Sequence, residues 1–126
     1  MHVLLIEPNT LLAATYRQAL QHAGHEVRHV TGAQAAVMAA DGRTPDVVVL
    51  ELQLPQHSGL EFLHEFRSYA EWQHVPVVVH TLLSPRQLAF ATDTMQRDLG
   101  VCAVLYKPHT SLQDLLRTVR VSTAAA

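Results

Sequence analysis

Four side chains stand at the ends of short apolar runs and carry chemistry that belongs together. Glu7 follows Val3-Leu4-Leu5-Ile6, Glu51 follows Val47-Val48-Val49-Leu50, Thr81 closes the run 75–81, and Lys107 follows the run 101–106. Two carboxylates offer the oxygen donors that a hard divalent cation takes. A hydroxyl and an ammonium offer the hydrogens that an anion takes. Each has a plain reading when taken alone: Thr81 as a β-branched strand end, Lys107 as a surface lysine that happens to precede a proline. Four such groups, each closing an apolar run, exceed what chance core packing supplies.

The elements that must position them follow from periodicity. Continuous apolar runs predict strands covered on both faces. The more polar run 25–30 predicts an edge strand. Asn9 or Thr10 can cap a first helix whose Leu12, Tyr16, Ala19, Leu20 and Ala23 recur at helical spacing, and Gly24 stands where a helix end takes a left-handed residue. Thr31 is expected to cap a second helix that ends at Asp41-Gly42. Residues 59–69 predict a third helix with Phe62, Leu63 and Phe66 inward, and Tyr69 and Trp72 at its end read as local packing. Ser84 and Pro85 open a fourth helix running to about Leu99. Ser111 with Asp114 resembles a capping box ahead of the last helix. Five strand–helix repeats predict an α/β protein, a doubly wound (βα)5 three-layer sandwich with a parallel sheet. In such a sheet the binding crevice lies at the carboxyl ends of the strands, where Glu7, Glu51, Thr81 and Lys107 fall. Residues 1–121 read as one domain and 122–126 as a frayed tail.

Composition narrows the classes. The 126 residues are 48% hydrophobic and only 16% charged, with a formal net charge of -2, so nothing favours direct nucleic-acid binding. No run is long enough to span a membrane. The single Cys102 excludes an internal disulfide framework, suits a reducing cytoplasm and reads as a small strand residue. The nine histidines are scattered and read as surface residues. His22, His25 and His29 lie close in sequence but lack the further ligands a zinc site needs.

The segments VLLIEPN, PDVVVLELQLPQHSGLEF, VPVVVHT and GVCAVLYKPH resemble the receiver domains of two-component response regulators, and the resemblance covers nearly the whole chain. It implies a flavodoxin-like sheet in the order 2-1-3-4-5. It sets Glu51 at the phosphoacceptor position, where the family has Asp. It sets Glu7 at the first residue of the acidic pair and puts Pro8 in place of the second acid. Thr81 falls at the switch hydroxyl, Lys107 at the phosphate-contacting lysine, and the peptide before Pro108 is expected to be cis. Val104 stands at the switch aromatic and Leu82 where a small residue is usual.

Those departures have a physical cost. Magnesium demands near-octahedral oxygen ligation. Pro8 removes one carboxylate, and Glu51 carries its oxygens about 1.5 Å further, roughly one C–C bond. A misplacement near ~1 Å can cost about a hundredfold in rate. The expectation is a receiver that is not an enzyme, with weak or absent magnesium (Glu7 and Glu51 the weak candidate ligands), acting through protein contacts. Glu51 can also reach Lys107 and attract Thr81, partly imitating a phosphorylated state; the plainer reading is a structural ion pair. The resemblance implies a histidine kinase or downstream effector as partner. A homodimer would use the fourth helix, fifth strand and fifth helix, where Val101-Cys102-Ala103-Val104 is uncharged and Arg86, Arg97, Arg117 and Arg120 lie nearby. Two other readings stay open: a receiver phosphorylated on Glu51, and a small-ligand binder using the same crevice.

Overall fold

The structure, a computed structural model, describes residues 1–124. Five strands, β1 (His2–Ile6), β2 (Glu26–Val30), β3 (Val47–Leu50), β4 (Val77–Thr81) and β5 (Val101–Tyr106), alternate with five helices. These are α1 (Thr10–His22), α2 (Ala33–Gly42), α3 (Gly59–Ser68), α4 (Pro85–Arg97) and α5 (Leu112–Ala124). All pairs are parallel and the order is β2-β1-β3-β4-β5.

The apolar runs become strands because both sheet faces are covered. Leu4, Ile6, Val48 and Leu50 pack on one side with Ala36, Phe62 and Phe66, while Val3, Leu5, Val47 and Val49 pack on the other with Leu20, Leu115 and Val119. Each fully buried side chain of this kind is worth about 1.5–3 kcal/mol. β2 and β5 are the sheet edges, and each is more exposed than the three strands between them.

Local signals set most helix ends. The Asn9 side chain accepts from the Leu11 and Leu12 N–H groups at 3.1 Å each. Ser84 with Gln87 and Ser111 with Asp114 bond reciprocally at the starts of α4 and α5. Gly24, after α1, takes φ 95°, the left-handed region. Thr31 does not cap α2: it lies one residue early, and Gly32 holds the cap position, where, lacking a side chain, it offers only its carbonyl to the Ala36 N–H at 3.1 Å.

The chain end differs from its expected role. Residues 122–124 belong to α5, Ser122 is buried, and the Thr123 hydroxyl donates back to the Val119 carbonyl at 2.9 Å. No glycine or proline interrupts this stretch, so nothing breaks the helix where the periodic apolar pattern stops. Ala125 and Ala126, the rest of the expected tail, lie outside the described residues.

Close packing accounts for the glycine at position 59, just after the loop that begins Leu54-Pro55. The Gly59 N–H donates to the Leu52 carbonyl at 2.8 Å, and a β-carbon there would stand 2.7 Å from Leu52 Cα and 3.0 Å from the Glu51 carbonyl oxygen. The loop from β3 is therefore folded back onto the start of α3, which fixes Glu51. Gly59→Ala should cost about 1–3 kcal/mol, the range for overpacking, read as a lower urea midpoint. A midpoint equal to wild type would mean that the loop yields without strain.

Candidate functional site

The strand ends bring Glu7, Glu51, Thr81 and Lys107 into one cluster. Glu7 is 2% exposed, Glu51 3% and Thr81 0%. Lys107 Nζ donates to Glu7 Oε1 at 2.6 Å and to Glu51 Oε1 at 2.9 Å, with its own side chain 5% exposed. These are short, charge-assisted bonds in a setting that excludes most water.

The Glu51 carboxylate is the hub. Oε2 accepts from the Thr81 hydroxyl and from the Gln53 N–H at 3.1 Å. Oε1 accepts from Lys107 and from the Leu82 N–H at 3.1 Å. The Thr81 oxygen in turn accepts from the Leu83 N–H at 3.2 Å, so the β4–α4 loop is tied to Glu51 through three consecutive residues. Burial alone would raise the Glu51 pKa, but the Thr81 hydroxyl, Lys107 and the Gln53 N–H outweigh it and hold the carboxyl below its ordinary range. Lys107 is likewise opposed by burial yet held above its ordinary value by Glu7 and Glu51. Both directions favour the charged forms of Glu51 and Lys107, each stabilising the other.

Glu7 is committed too. Its second oxygen accepts from the Asn9 N–H at 3.1 Å, and its carbonyl meets His29 Nε2 at 2.8 Å. Pro8, half-buried beside it, brings no donor or acceptor side chain. The peptide before Pro108 is trans, contrary to the expected cis form. Lys107, Pro108 and His109 form a single 3-10 turn closed by the Thr110 N–H on the Lys107 carbonyl at 3.1 Å. In that first turn the missing proline N–H is not needed, and the trans form carries its ordinary advantage of about 0.5–1 kcal/mol.

Val104 is half-buried and lines a groove of about 200 Å³ with Leu83, Leu88 and Tyr106. Tyr106, paired in register with Thr81, meets the His109 ring edge-on at 5.0 Å. Leu82, where a small residue is usual, is half-exposed at 50%, its backbone alone serving the cluster. Cys102 is exposed on β5. Trp72 is buried against Phe66 at 5.1 Å. Among the described residues no three of His, Cys, Asp and Glu converge as metal ligands, so His22, His25 and His29 form no such set.

The reading of the histidines as surface residues fails for His80 and His2, which are 3% and 9% exposed. The strand itself was the signal: both faces of β4 are covered, and His80 shares the face of the buried Val78. It lies 4.8 Å from the Tyr16 ring. Burial, helped by Lys107 and opposed by Glu51, lowers its pKa to about 4. An unfolded chain protonates this ring near pH ~6.5 while the folded one does not, so stability should fall by about 3 kcal/mol from there down to pH ~4 and level off below. His80→Leu should flatten that part of the profile in urea unfolding run across the range. An unchanged slope would show that other groups carry the acid sensitivity.

Fold and cleft together place the chain among doubly wound α/β proteins whose site lies at the carboxyl ends of the strands. It belongs to the response-regulator receiver domains, whose family profile matches residues 3–120. The polar-differentiation response regulator DivK of Brucella anthropi is 32% identical over 119 residues, covering 94% of this chain and 92% of that protein. The transcriptional regulatory protein PdtaR of Mycobacterium tuberculosis is 29% identical over 97% of this chain, which spans only 56% of PdtaR's length. Among solved structures, the chemotaxis response regulator CheY4 of Vibrio cholerae superposes with a TM-score of 0.84 at 23% identity, covering 96% of this chain and 97% of that one. A sensor protein from Polaromonas sp. JS666 superposes at 0.88 with 18% identity, covering 98% and 96%. At these identities the structures share the fold.

Proposed function

We propose that this receiver domain works without phosphorylation, as a protein-binding module whose cleft is permanently filled by its own Glu51. The observation that carries this reading is the count of donors on one carboxylate: the Thr81 hydroxyl, the Leu82 and Gln53 N–H groups and Lys107. The resemblance assigns Thr81 and Lys107 to an incoming phosphoryl group. Here a side chain that belongs to the protein has already taken them, and it holds the β4–α4 loop as a bound anion would. A glutamate has only two acceptor oxygens against a phosphoryl group's three, so the imitation is partial.

The same donors argue against magnesium. Every carboxylate oxygen of Glu7 and Glu51 faces an N–H, O–H or ammonium hydrogen, and Pro8 adds no ligand. That donor set fits an anion and does not fit a hard cation. No catalytic step is assigned to the cluster, and the domain is read as a non-enzyme. Its partners are a histidine kinase or a downstream effector in the cytoplasm. The uncharged β5 edge between α4 and α5 is the surface for such a partner or for a second copy. No helix among the described residues is long and apolar enough to cross a membrane.

Incubation with magnesium and a small acyl phosphate, read by intact mass, tests the reading. The expected result is an unchanged mass. A gain of one phosphoryl group, removed by Glu51→Gln, would instead support the reading in which Glu51 is the acceptor. The small-ligand reading is disfavoured because the crevice is occupied by side chains exposed by 5% or less.

A further inference from the structure

At the end of the sheet opposite the acidic cleft, a groove of about 460 Å³ opens between the free edge strand β2 and the C-terminal half of α2. His2 contributes to its lining from β1, although only 9% of the residue is exposed. Its Nδ1 is buried without a hydrogen-bond partner among the described residues. Burial, then Arg43, lowers the His2 pKa, so the ring is neutral at physiological pH. A buried lone pair without a partner costs less than a buried N–H without one. The proton therefore belongs on Nε2, which leaves the ring one donor to offer.

The walls carry an unequal charge. Arg43 is already bonded through both terminal nitrogens to Glu26, at 3.0 and 3.3 Å. Arg28 is exposed and has no ion-pair partner among the described residues. Arg28 is thus the lining cation without an ion pair among the described residues, while Asp46, which accepts from the His2 N–H at 2.7 Å, adds a carboxylate on the Arg43 side of the groove. Met38, 75% exposed on α2, supplies an apolar wall. A space of this size, with an apolar surface and a few convergent polar groups, has the dimensions of a small-molecule site, about 300–1,000 Å³.

We propose that this groove binds a small organic monocarboxylate with a short apolar body. The carboxylate pairs with the Arg28 guanidinium, whose planar fork matches it. One of its oxygens accepts from His2 Nε2–H, and the apolar body covers Met38. A single free guanidinium beside Glu26 suits one negative charge; a phosphate dianion would leave the second uncompensated. The site is separate from the Glu51 cluster and does not depend on how that cluster works.

Hexanoate titrated into isotope-labelled protein, read by amide chemical shifts, provides the test. Saturable shifts are expected at His2, Arg28 and Met38, with Thr81 and Lys107 unmoved. Hexanamide, which lacks the charge, should give none, and inorganic phosphate should bind more weakly than hexanoate. Arg28→Gln should weaken hexanoate by about tenfold, the scale of one charge-assisted pair, while Arg17→Gln, an exposed arginine on α1, should leave the Kd unchanged. The proposal is overturned by shifts that never saturate, by equal binding of hexanamide or tighter binding of phosphate, by equal loss in both variants, or by shifts centred on Thr81 and Lys107.

Discussion

Glu51→Asp combined with Pro8→Asp should give a protein whose thermal midpoint rises with magnesium, whereas the wild type should show no such dependence. The shorter side chain draws its oxygens back by about one C–C bond, ~1.5 Å. That is enough to lose the contacts now made to the Thr81 hydroxyl and the Leu82 N–H. The second change sets a new carboxylate beside Glu7, so three would meet around one point. Without metal, the variant buries more like charge and should be less stable than wild type at neutral pH. A bound cation reverses this by mass action, by about 2.7 kcal/mol at a concentration a hundred times the Kd. Calorimetric titration with magnesium gives the affinity directly. If the double variant still shows no heat of binding and no shift in midpoint, the loss of ligand geometry is not what separates this cleft from a metal-binding one. Each single variant should fall short, since one leaves the proline and the other leaves Glu51 filling the space.

Much of this arrangement could be read from residue types, and the part that could not has a definite cause. The strands were legible because Val3 to Ile6, Val47 to Leu50 and Val77 to Val79 are short, β-branched-rich and apolar without interruption, the pattern of strands in a sheet covered on both faces. The clustering of Glu7, Glu51, Thr81 and Lys107 followed from placing each at a strand's carboxyl end. Two of the four donors on Glu51 were illegible, because they are the backbone N–H groups of Gln53 and Leu82. Every residue except proline has such a group, so no residue type announces it. The role of His29 against the Glu7 carbonyl is hidden for a related reason: the acceptor is main chain, and the partners are 22 residues apart. His80 follows Val77-Val78-Val79 in a strand covered on both faces, and that position, not the residue type, is what buries it. The trans peptide before Pro108 marks a limit of reasoning from resemblance. There the expectation came from other chains, and the local 3-10 turn of this chain decided the outcome.

Lys107→Met should produce the largest loss of stability of any single change in the cleft. Among the described residues the lysine is the only cation within bonding distance of either buried carboxylate, and its removal leaves Glu7 Oε1 with no donor there and Glu51 Oε1 with the Leu82 N–H alone. Breaking a buried pair by removing one partner typically costs about 3–5 kcal/mol, since an uncompensated charge stays behind. The pH dependence carries the sign of the effect. In the wild type the depressed Glu51 carboxyl adds stability above its unfolded pKa, near ~4.3, and this is lost as pH falls through the folded value. Without the ammonium, two facing carboxylates can relieve their repulsion by taking up a proton, so a folded-state pKa rises above the unfolded one. The variant's deficit should therefore be greatest near neutral pH and shrink as the solution is acidified towards pH ~5. Adding Glu7→Gln to Lys107→Met should recover part of the loss at neutral pH, because one buried charge is then gone. Urea midpoints for the three proteins at both pH values would show it. A deficit of less than about 1 kcal/mol, the size of an exposed ion pair, or one independent of pH, would mean that water reaches the cluster and that Glu51 is not held by burial and charge in the way described.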